Sequence, residues 1–261
     1  MFLKKALGQH LLTSQSALER IVRALNPSRD DTVVEIGPGT GNLTSRLLSK
    51  CNHVIAIEKD KEMVDRLGDK FGGAFGLEII NADFLKYDLT ERLASGPSRQ
   101  IFCGNLPYNI STPILFKLKD MRRYFSRGVV MLQREVALRL TANPGGKDYG
   151  VLSIMMQVSS KMKRLFDIPP GAFIPPPKVT SSVVEIVFPE KEPYHIKNQE
   201  LFARVVRGAF SKRRKMIRNC LPKEWLVALE KAGIEPTRRP EEVSIDEFAL
   251  ITLHLCRLLK C

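Results

Sequence analysis

The chain has 261 residues, of which 44% are hydrophobic and 26% are charged. These values are typical of a folded protein with one large core, or with a large and a small domain, and they exclude a wholly disordered chain. A formal net charge of +13 indicates an anionic partner, which would be a nucleic acid or a membrane surface.

Several features bear on the compartment in which the protein works. No apolar run reaches the roughly 18 uncharged residues that a membrane span needs, and the residues up to Gly8-Gln9-His10 lack the apolar stretch of a signal peptide. The five cysteines are odd in number and form no CxxC pair, which indicates reduced thiols and argues against a disulfide framework or structural zinc. We therefore predict a cytoplasmic protein with no metal and no membrane-spanning segment; an organelle is the alternative.

Between residues 32 and 135, short apolar runs alternate with helix-like stretches. This alternation predicts a mostly parallel sheet that is covered by helices on both faces. Two later runs are expected to complete seven strands, as a hairpin at the edge. The runs are Thr32–Ile36, Val54–Glu58, Leu77–Ile80, Gln100–Cys103 and Val129–Leu132, followed by Val151–Gln157 and Val183–Phe188.

The composition changes after Phe188. Pro189–Pro193 combines two prolines with three charges and is interpreted as a linker. From about Asn198 onward the apolar residues recur at helical spacing, and Ser244 with Glu247 predicts a capping box. We therefore predict two domains, residues 1–189 with the sheet and residues 190–261 with helices only.

A glycine-rich segment, Glu35–Gly41, stands where the first strand ends and the first sheet-covering helix begins. Gly37 and Gly39 would let the backbone pass close to a ligand, and the helix N-terminus would direct free N–H groups at it. The last glycine of a dinucleotide-binding GxGxxG motif is replaced by Asn42. This replacement disfavours a nicotinamide-dependent oxidoreductase, for which the chain also lacks an evident acid–base pair.

Acidic residues occur at successive strand ends. Glu58 closes the second strand, where a carboxylate can accept both ribose hydroxyls, and Asp83 follows the third, where it can accept from an adenine amino group. With Glu35 they would place three carboxylates at one mouth. That charge suits a phosphate-free sulfonium nucleoside, S-adenosylmethionine, better than a pyrophosphate.

The tetrapeptide Asn105-Leu106-Pro107-Tyr108 follows the fourth strand. The lone pair of an adenine N6 amine is delocalised into the ring, so the amine is a poor nucleophile. Carbonyls of Asn105 and Leu106 that accept its two N–H groups would favour a pyramidal nitrogen, increasingly so as positive charge develops. Pro107 would stiffen the turn and Tyr108 would offer an aromatic face. An ordinary turn with a buried tyrosine is the alternative.

A proline-rich segment, Gly171–Val179, precedes the last strand. Its prolines predict an extended loop that holds Phe173 in place. Phe173 would stack on a flipped base opposite Tyr108. Two other interpretations stay open on the residues alone, a proline-rich ligand for a partner protein and a buried phenylalanine on a stiff connector.

Taken together, these motifs resemble the ribosomal RNA adenine dimethyltransferases, specifically the small-subunit enzymes, over nearly the whole chain. The resemblance implies a Rossmann-like class I S-adenosylmethionine-dependent methyltransferase domain and a small C-terminal helical domain. It also implies dimethylation of two adjacent adenosines near the 3′ end of small-subunit rRNA, within a late pre-ribosomal particle. The segments that carry it are Leu7–Leu12, Glu35–Gly41, Asn105–Pro113, Gln133–Ala137, Tyr149–Ser153 and Pro175–Val179.

The same resemblance assigns a cofactor site. In many bacterial members the position of His10 is asparagine, so His10 is a departure, although an imidazole can still form hydrogen bonds near the methionine end of the cofactor. The residues that match the family's cofactor site are His10, Leu12, Gly37, Glu58, Asp83 and Asn105, to which the glycine-rich segment adds Gly39.

Basic residues at the N-terminus and on the predicted helical domain are candidates for contacts with RNA phosphates. Such contacts position an RNA without selecting its sequence. A solvated face is the alternative. The candidates are Lys4 and Lys5 at the N-terminus and Lys212, Arg213, Arg214, Lys215 and Arg218. We expect a monomer, because the sequence shows no coiled coil.

Two further functions compete with this one. The large-subunit rRNA methyltransferases of macrolide resistance share the Asn105–Tyr108 pattern, but Pro175–Val179 and Arg238–Ser244 favour the small-subunit enzymes. A non-catalytic RNA-binding assembly factor on the same fold would be expected to have lost residues that are intact here.

Overall fold

A computed structural model of the chain describes residues 10–94, 100–212 and 214–260. The residues form two compact units. One contains the described residues up to Ala137 together with Lys161–Glu190, and the other contains Leu138–Ser160 together with the described residues from Lys191 onward. Residues 138–160 therefore belong to the second unit, although the sequence interpretation placed them before the boundary at residue 190.

The first unit is built on a seven-stranded sheet. Its spatial order is β4-β3-β2-β5-β6-β9-β7, and β1 pairs separately with β8. The first five strands of the sheet run parallel, whereas β9 is antiparallel to both β6 and β7. The predicted mostly parallel sheet of seven strands is confirmed. The strands are β1 (Leu11–Leu12), β2 (Thr32–Ile36), β3 (His53–Glu58), β4 (Leu77–Asn81), β5 (Gln100–Asn105), β6 (Arg127–Gln133), β7 (Lys161–Ile168), β8 (Phe173–Ile174) and β9 (Ser181–Val187).

Helices flank the sheet and form the regular structure of the second unit. α7 to α10 lie in the second unit, and the boundary between the units falls within α6. None of the described helices is both long and apolar enough to cross a membrane. The helices are α1 (Gln15–Leu25), α2 (Asn42–Leu48), α3 (Lys61–Phe71), α4 (Thr90–Ala94), α5 (Ser111–Asp120), α6 (Arg134–Leu140), α7 (Val151–Gln157), α8 (Gln199–Ala209), α9 (Leu226–Lys231) and α10 (Ile245–Leu259).

The order of the strands reverses between β2 and β5. From β2 the chain proceeds outward through β3 and β4, and from β5 it proceeds through β6 on the other side. The carboxyl ends of these two central strands lie at Ile36 and Asn105. Open α/β sheets bind ligands at such a reversal point, so this edge is where a site is expected.

The strand predicted at Val151–Gln157 is wrong, because this segment is the helix α7. Five consecutive residues of it are buried, four of them apolar, and a largely apolar run of this length does not distinguish a strand from a buried helix. The side chain of Ser153 stabilises the helix start, since its hydroxyl accepts from the Gly150 N–H at 3.1 Å and donates to the Arg139 carbonyl at 2.5 Å.

The strand that completes the sheet is β7, which the sequence interpretation missed. Lys161, Lys163 and Arg164 are exposed on this strand, which stands last in the order of the described strands and so forms an edge of the sheet. Charged residues are common on edge strands because they oppose pairing with other chains. A break in register between Arg164 and Phe166 further obscures the alternation of polar and apolar residues.

The central strand β2 carries a buried acid. Glu35 is 1% exposed, and its carboxyl group accepts a hydrogen bond from the Thr44 hydroxyl of α2 at 2.6 Å. Burial raises the pKa of Glu35 from 4.5 to about 7, and the bond from Thr44 opposes this shift only in part. Glu35 is therefore protonated in the native protein at mildly acidic pH.

The substitution Glu35→Gln tests this assignment. Between about pH 4.5 and about pH 7 the native protein binds a proton that the unfolded chain has released, so wild-type stability falls as the pH rises through this range. Glutamine stays neutral, so we expect the free energy of unfolding of the variant, relative to that of wild type, to rise by about 2 kcal/mol from pH 5 to pH 8. Urea unfolding of both proteins at the two pH values measures the difference. A difference that does not change with pH would show that Glu35 is ionised throughout.

Candidate active site

A cavity opens at the carboxyl ends of β2, β3, β4 and β5. It brings together residues that the sequence analysis took from separate segments, namely the histidine of the first motif, the glycines, two strand-end acids and the whole tetrapeptide. The lining consists of His10, Leu11, Ile36, Gly37, Gly39, Ile57, Glu58, Lys59, Ala82, Asp83, Phe84, Leu85, Asn105, Leu106, Pro107, Tyr108, Asn109, Ile110 and Ile114.

The glycine-rich segment needs its glycines for conformational reasons. Gly37 and Gly39 have φ values of +68° and +56°, in the left-handed region that other residues rarely adopt. A Cβ atom at Gly39 would also lie 2.8 Å from the Leu11 side chain. The backbone can therefore form one wall of the cavity without side chains that would fill it.

Glu58 is fixed at the end of β3 by two main-chain donors. One carboxylate oxygen accepts from Gly39 N–H at 3.1 Å and the other from Asp60 N–H at 2.9 Å. Burial raises the pKa of Glu58, and these two bonds oppose the shift. Each carboxylate oxygen can accept a further hydrogen bond, so both remain able to receive a hydroxyl from the cavity.

Asp83 lies beyond the end of β4 and is held from two sides. One oxygen accepts from Leu85 N–H at 3.0 Å, and the other forms an ion pair with Lys59 at 2.9 Å. The hydrogen bond from Lys59 lowers the pKa of Asp83, which keeps the carboxylate ionised. Asp83 is thus a fixed acceptor at the rim of the cavity.

Asn105 is oriented by the residue that precedes β1. Its side-chain N–H group donates to the main-chain carbonyl of His10 at 2.6 Å. Because the nitrogen is engaged there, the amide oxygen is left as the free acceptor of this cavity-lining side chain. The next residue, Leu106, donates its N–H to the Met131 carbonyl at 2.9 Å, which fixes the start of the turn.

Tyr108 is held by contacts at both its hydroxyl and its ring. The hydroxyl shares a hydrogen bond with the buried Ser181 at 2.5 Å, and the ring stacks on His10 with a centroid distance of 5.5 Å. His10 is held in turn, because its Nδ1 donates to the Pro175 carbonyl at 2.8 Å. The proline-rich segment therefore supports the tyrosine through His10, and Ser181 at the start of β9 holds its hydroxyl.

Not every predicted residue lines this cavity. Leu12 and Glu35 line a second, smaller cavity that shares Leu11, Gly37 and Asn105 with the first. The three carboxylates were predicted to line one cavity. Glu58 and Asp83 line the main cavity, whereas Glu35 is buried beside the second one.

Phe173 is also outside the cavity. It is 2% exposed and packs in the core, paired with Leu12 between β8 and β1. Pairing of these two strands points the ring into the core, so this arrangement does not bring Phe173 to a ligand in the cavity.

The described candidates for phosphate contact lie in the second unit. Lys212, Arg214, Lys215 and Arg218 are all exposed, in the segment after α8 and in the short 3-10 helix that follows it. Lys212 also donates to the Asn219 carbonyl at 2.9 Å. Lys4, Lys5 and Arg213 lie outside the described residues.

Several residues that shape the cavity were not among those predicted from the sequence. Lys59 and Phe84 each follow a predicted acid directly, so their place beside the site was available from the strand ends. The partnership of Ser181 with Tyr108 joins residues 73 positions apart, and no local pattern indicates it. Among the described residues, no group of three or more His, Cys, Asp or Glu side chains could hold a metal ion.

The chain is similar to known proteins over nearly its whole length. Residues 2–255 match the family model described as ribosomal RNA adenine dimethylase. The ribosomal RNA small subunit methyltransferase A of Geobacter metallireducens is 43% identical over 95% of this chain and 94% of its own length. The protein of the same name from Acinetobacter baylyi is 42% identical over 95% and 91%.

Solved structures show the same fold. A dimethyladenosine transferase from Plasmodium falciparum superimposes with a TM-score of 0.83 at 28% identity, covering 95% of this chain and 98% of that one. The 23S rRNA methyltransferase ErmE superimposes with a TM-score of 0.72 at 23% identity, covering 94% and 99%. The chain belongs to the ribosomal RNA adenine dimethylase family.

Proposed function

We propose that this protein transfers methyl groups from S-adenosylmethionine to the N6 amines of two adjacent adenosines near the 3′ end of small-subunit rRNA. The orientation of Asn105 is the observation that carries the proposal. Its amide nitrogen is bonded to the His10 carbonyl, so its oxygen is the acceptor available to an amine in the cavity. The relatives named ribosomal RNA small subunit methyltransferase A support the choice of RNA.

The residues of the cavity fit S-adenosylmethionine. Glu58 can accept the two ribose hydroxyls, and Asp83 is placed to accept from the adenine amino group. Ile57, Phe84 and Leu85 provide apolar walls for the base. Leu12 and the second cavity would take the methionine end, together with His10, Gly37 and Gly39. When bound, the cofactor supplies an electrophilic sulfonium methyl group.

The tetrapeptide activates and orients the acceptor amine. The Asn105 side-chain oxygen and the Leu106 carbonyl would accept the two N–H bonds of the adenine N6, which directs its lone pair toward the methyl group. Both acceptors bind more strongly as the nitrogen becomes positive, so they stabilise the transition state more than the ground state. Pro107 limits motion of the turn, and the Tyr108 ring holds the base by stacking.

Phe173 would support this site indirectly. We now assign it to the core that holds β1 and β8 together, and therefore to the placement of His10 and Pro175. The RNA is proposed to contact Lys4, Lys5, Lys212, Arg213, Arg214, Lys215 and Arg218 through its phosphates. We further propose that the protein acts as a monomer in the cytoplasm, on a late pre-ribosomal particle.

Methylation of ribosomal particles tests the proposed substrate and the role of Asn105. We expect wild-type protein to methylate undermethylated small subunits and not large subunits. The Asn105→Ala variant should lose about 100-fold or more in rate, because one acceptor of the developing charge is gone, while its RNA affinity is retained. Transfer of labelled methyl groups measures the choice of subunit and the rate, and direct RNA binding measures the affinity. Methylation of large subunits alone would favour the 23S type of enzyme and overturn the proposal.

A double-mutant cycle tests the support of Tyr108 by Ser181. Ser181→Ala and Tyr108→Phe each remove one partner of the same hydrogen bond, and we expect each to lower kcat/KM about 10-fold. The double variant should lose no more than either single variant, because the bond is lost only once. Ser182→Ala is the control, since this neighbouring buried serine bonds to Asp167 instead. Additive losses would show that the two residues act separately.

Charge reversal tests the phosphate contacts in the second unit. Replacing Arg214 and Arg218 by glutamate should weaken RNA binding and reduce the slope of log K against log salt by about 2, because two phosphate contacts are lost. Lys223 and Lys231 are exposed lysines of the same unit, and their double reversal gives the same change in net charge. Equal effects of the two pairs would indicate a general charge effect and no local footprint.

A further inference from the structure

The loop that follows β4 forms one side of the cavity. It supplies Asp83, Phe84 and Leu85 to the lining. Inside the loop, the Asp83 carbonyl accepts from the N–H groups of Lys86 and Tyr87, both at 2.9 Å. These bonds close the loop on itself, and the ion pair of Asp83 with Lys59 joins its start to the end of β3, but none of them joins the loop to α5.

A lysine from a different element provides that connection. Lys117 lies on α5, and its ammonium group donates to the main-chain carbonyls of Phe84 and Tyr87, each at 2.5 Å. The same ammonium lies 5.1 Å from the centroid of the Phe84 ring. Lys117 therefore contacts the backbone on both sides of the loop and also its aromatic side chain.

The position of Lys117 on α5 links the loop to the acceptor turn. Ile114 and Ile110 line the cavity, and they precede Lys117 by three and seven residues, which is the spacing of one helical face. The helix begins at Ser111, directly after the turn that carries Tyr108. One face of α5 therefore lines the cavity at the start of the helix, and Lys117 on the same face holds the loop about one turn later.

The environment of Lys117 is consistent with a structural ammonium and not with a solvated side chain. The residue is half-buried, and burial lowers the pKa of Lys117, while Asp88 and Asp83 raise it. Two carbonyl acceptors and two nearby carboxylates compensate the cost of burying the charge. Phe84 itself is 5% exposed, so its ring has little freedom once the lysine is bonded to its carbonyl.

We propose that Lys117 is a positioning residue for the adenine end of the cofactor, acting through the Phe84 and Tyr87 carbonyls to hold Asp83 and the Phe84 ring in place. The proposal rests on the proposed function, because it assumes that an adenine occupies this side of the cavity. Without the ammonium, the loop keeps its internal bonds but loses its attachment to α5. Asp83 would keep its ion pair with Lys59, but the main chain of the adjacent Phe84 would no longer be fixed, so the carboxylate would be held less firmly where an adenine amino group can reach it.

Calorimetric binding of S-adenosylhomocysteine and of its inosine analogue, without RNA, tests the proposal. The analogue lacks the amino group that Asp83 would accept, so wild-type protein should prefer the adenosine compound. We expect Lys117→Met to weaken binding of S-adenosylhomocysteine about 10-fold and to remove most of that preference. Lys117→Arg retains donors and should restore the preference. Lys86→Met removes an exposed lysine from the same loop and should leave the preference for the adenosine compound unchanged.

Three outcomes would overturn the proposal. One is wild-type preference in Lys117→Met, and another is failure of arginine to restore it. The third is an equal loss for both compounds accompanied by a lower melting temperature, which indicates general destabilisation. Failure of wild-type protein to bind S-adenosylhomocysteine at all would instead refute the proposed function, so the two failures are distinguishable.

Discussion

The hydrogen bond from the Asn105 side chain to the His10 carbonyl is the contact on which the candidate site depends. It joins residues 95 positions apart and fixes which end of the amide is directed to a ligand. If the amide were reversed, it would present a donor to an amine that is itself a donor, and the proposed activation would fail. The same contact fixes the main chain of His10, the residue before β1, and so the imidazole on which Tyr108 stacks.

The sheet explains why the other groups converge on this contact. β2 and β5 are neighbours at the point where the strand order reverses, so the glycine-rich segment and Asn105 follow adjacent strand ends. Glu58 and Asp83 follow the next two strands on one side. Main-chain donors hold both acids, and Lys59 and Lys117 hold the outer loop. The geometry is set by backbone contacts more than by contacts among the functional side chains themselves.

The sequence predicted those parts of the site that depend on local patterns. Apolar runs gave the central strands, and their ends gave Gly37, Glu58, Asp83 and Asn105. The helix α7 was mistaken for a strand because a largely apolar segment of seven residues, five of them buried, fits both structures. The strand β7 was missed because an edge strand carries charges.

Contacts between distant segments could not be predicted from local patterns. The bond of Tyr108 to Ser181 and the bonds of Lys117 to the loop depend on how the elements pack. Neither Ser181 nor Lys117 stands out in its own segment. The burial of Phe173 has the same origin. Its loop was predicted to be extended, but the pairing of β8 with β1 decides which way its ring points.

A crystal structure of the protein with S-adenosylhomocysteine and adenosine bound would test the orientation of Asn105 most directly. We expect the side-chain nitrogen within hydrogen-bond distance of the His10 carbonyl and the side-chain oxygen within hydrogen-bond distance of the adenosine N6. An amide whose oxygen faces away from N6, or an adenosine bound elsewhere with Asn105 unchanged, would contradict the proposed mechanism.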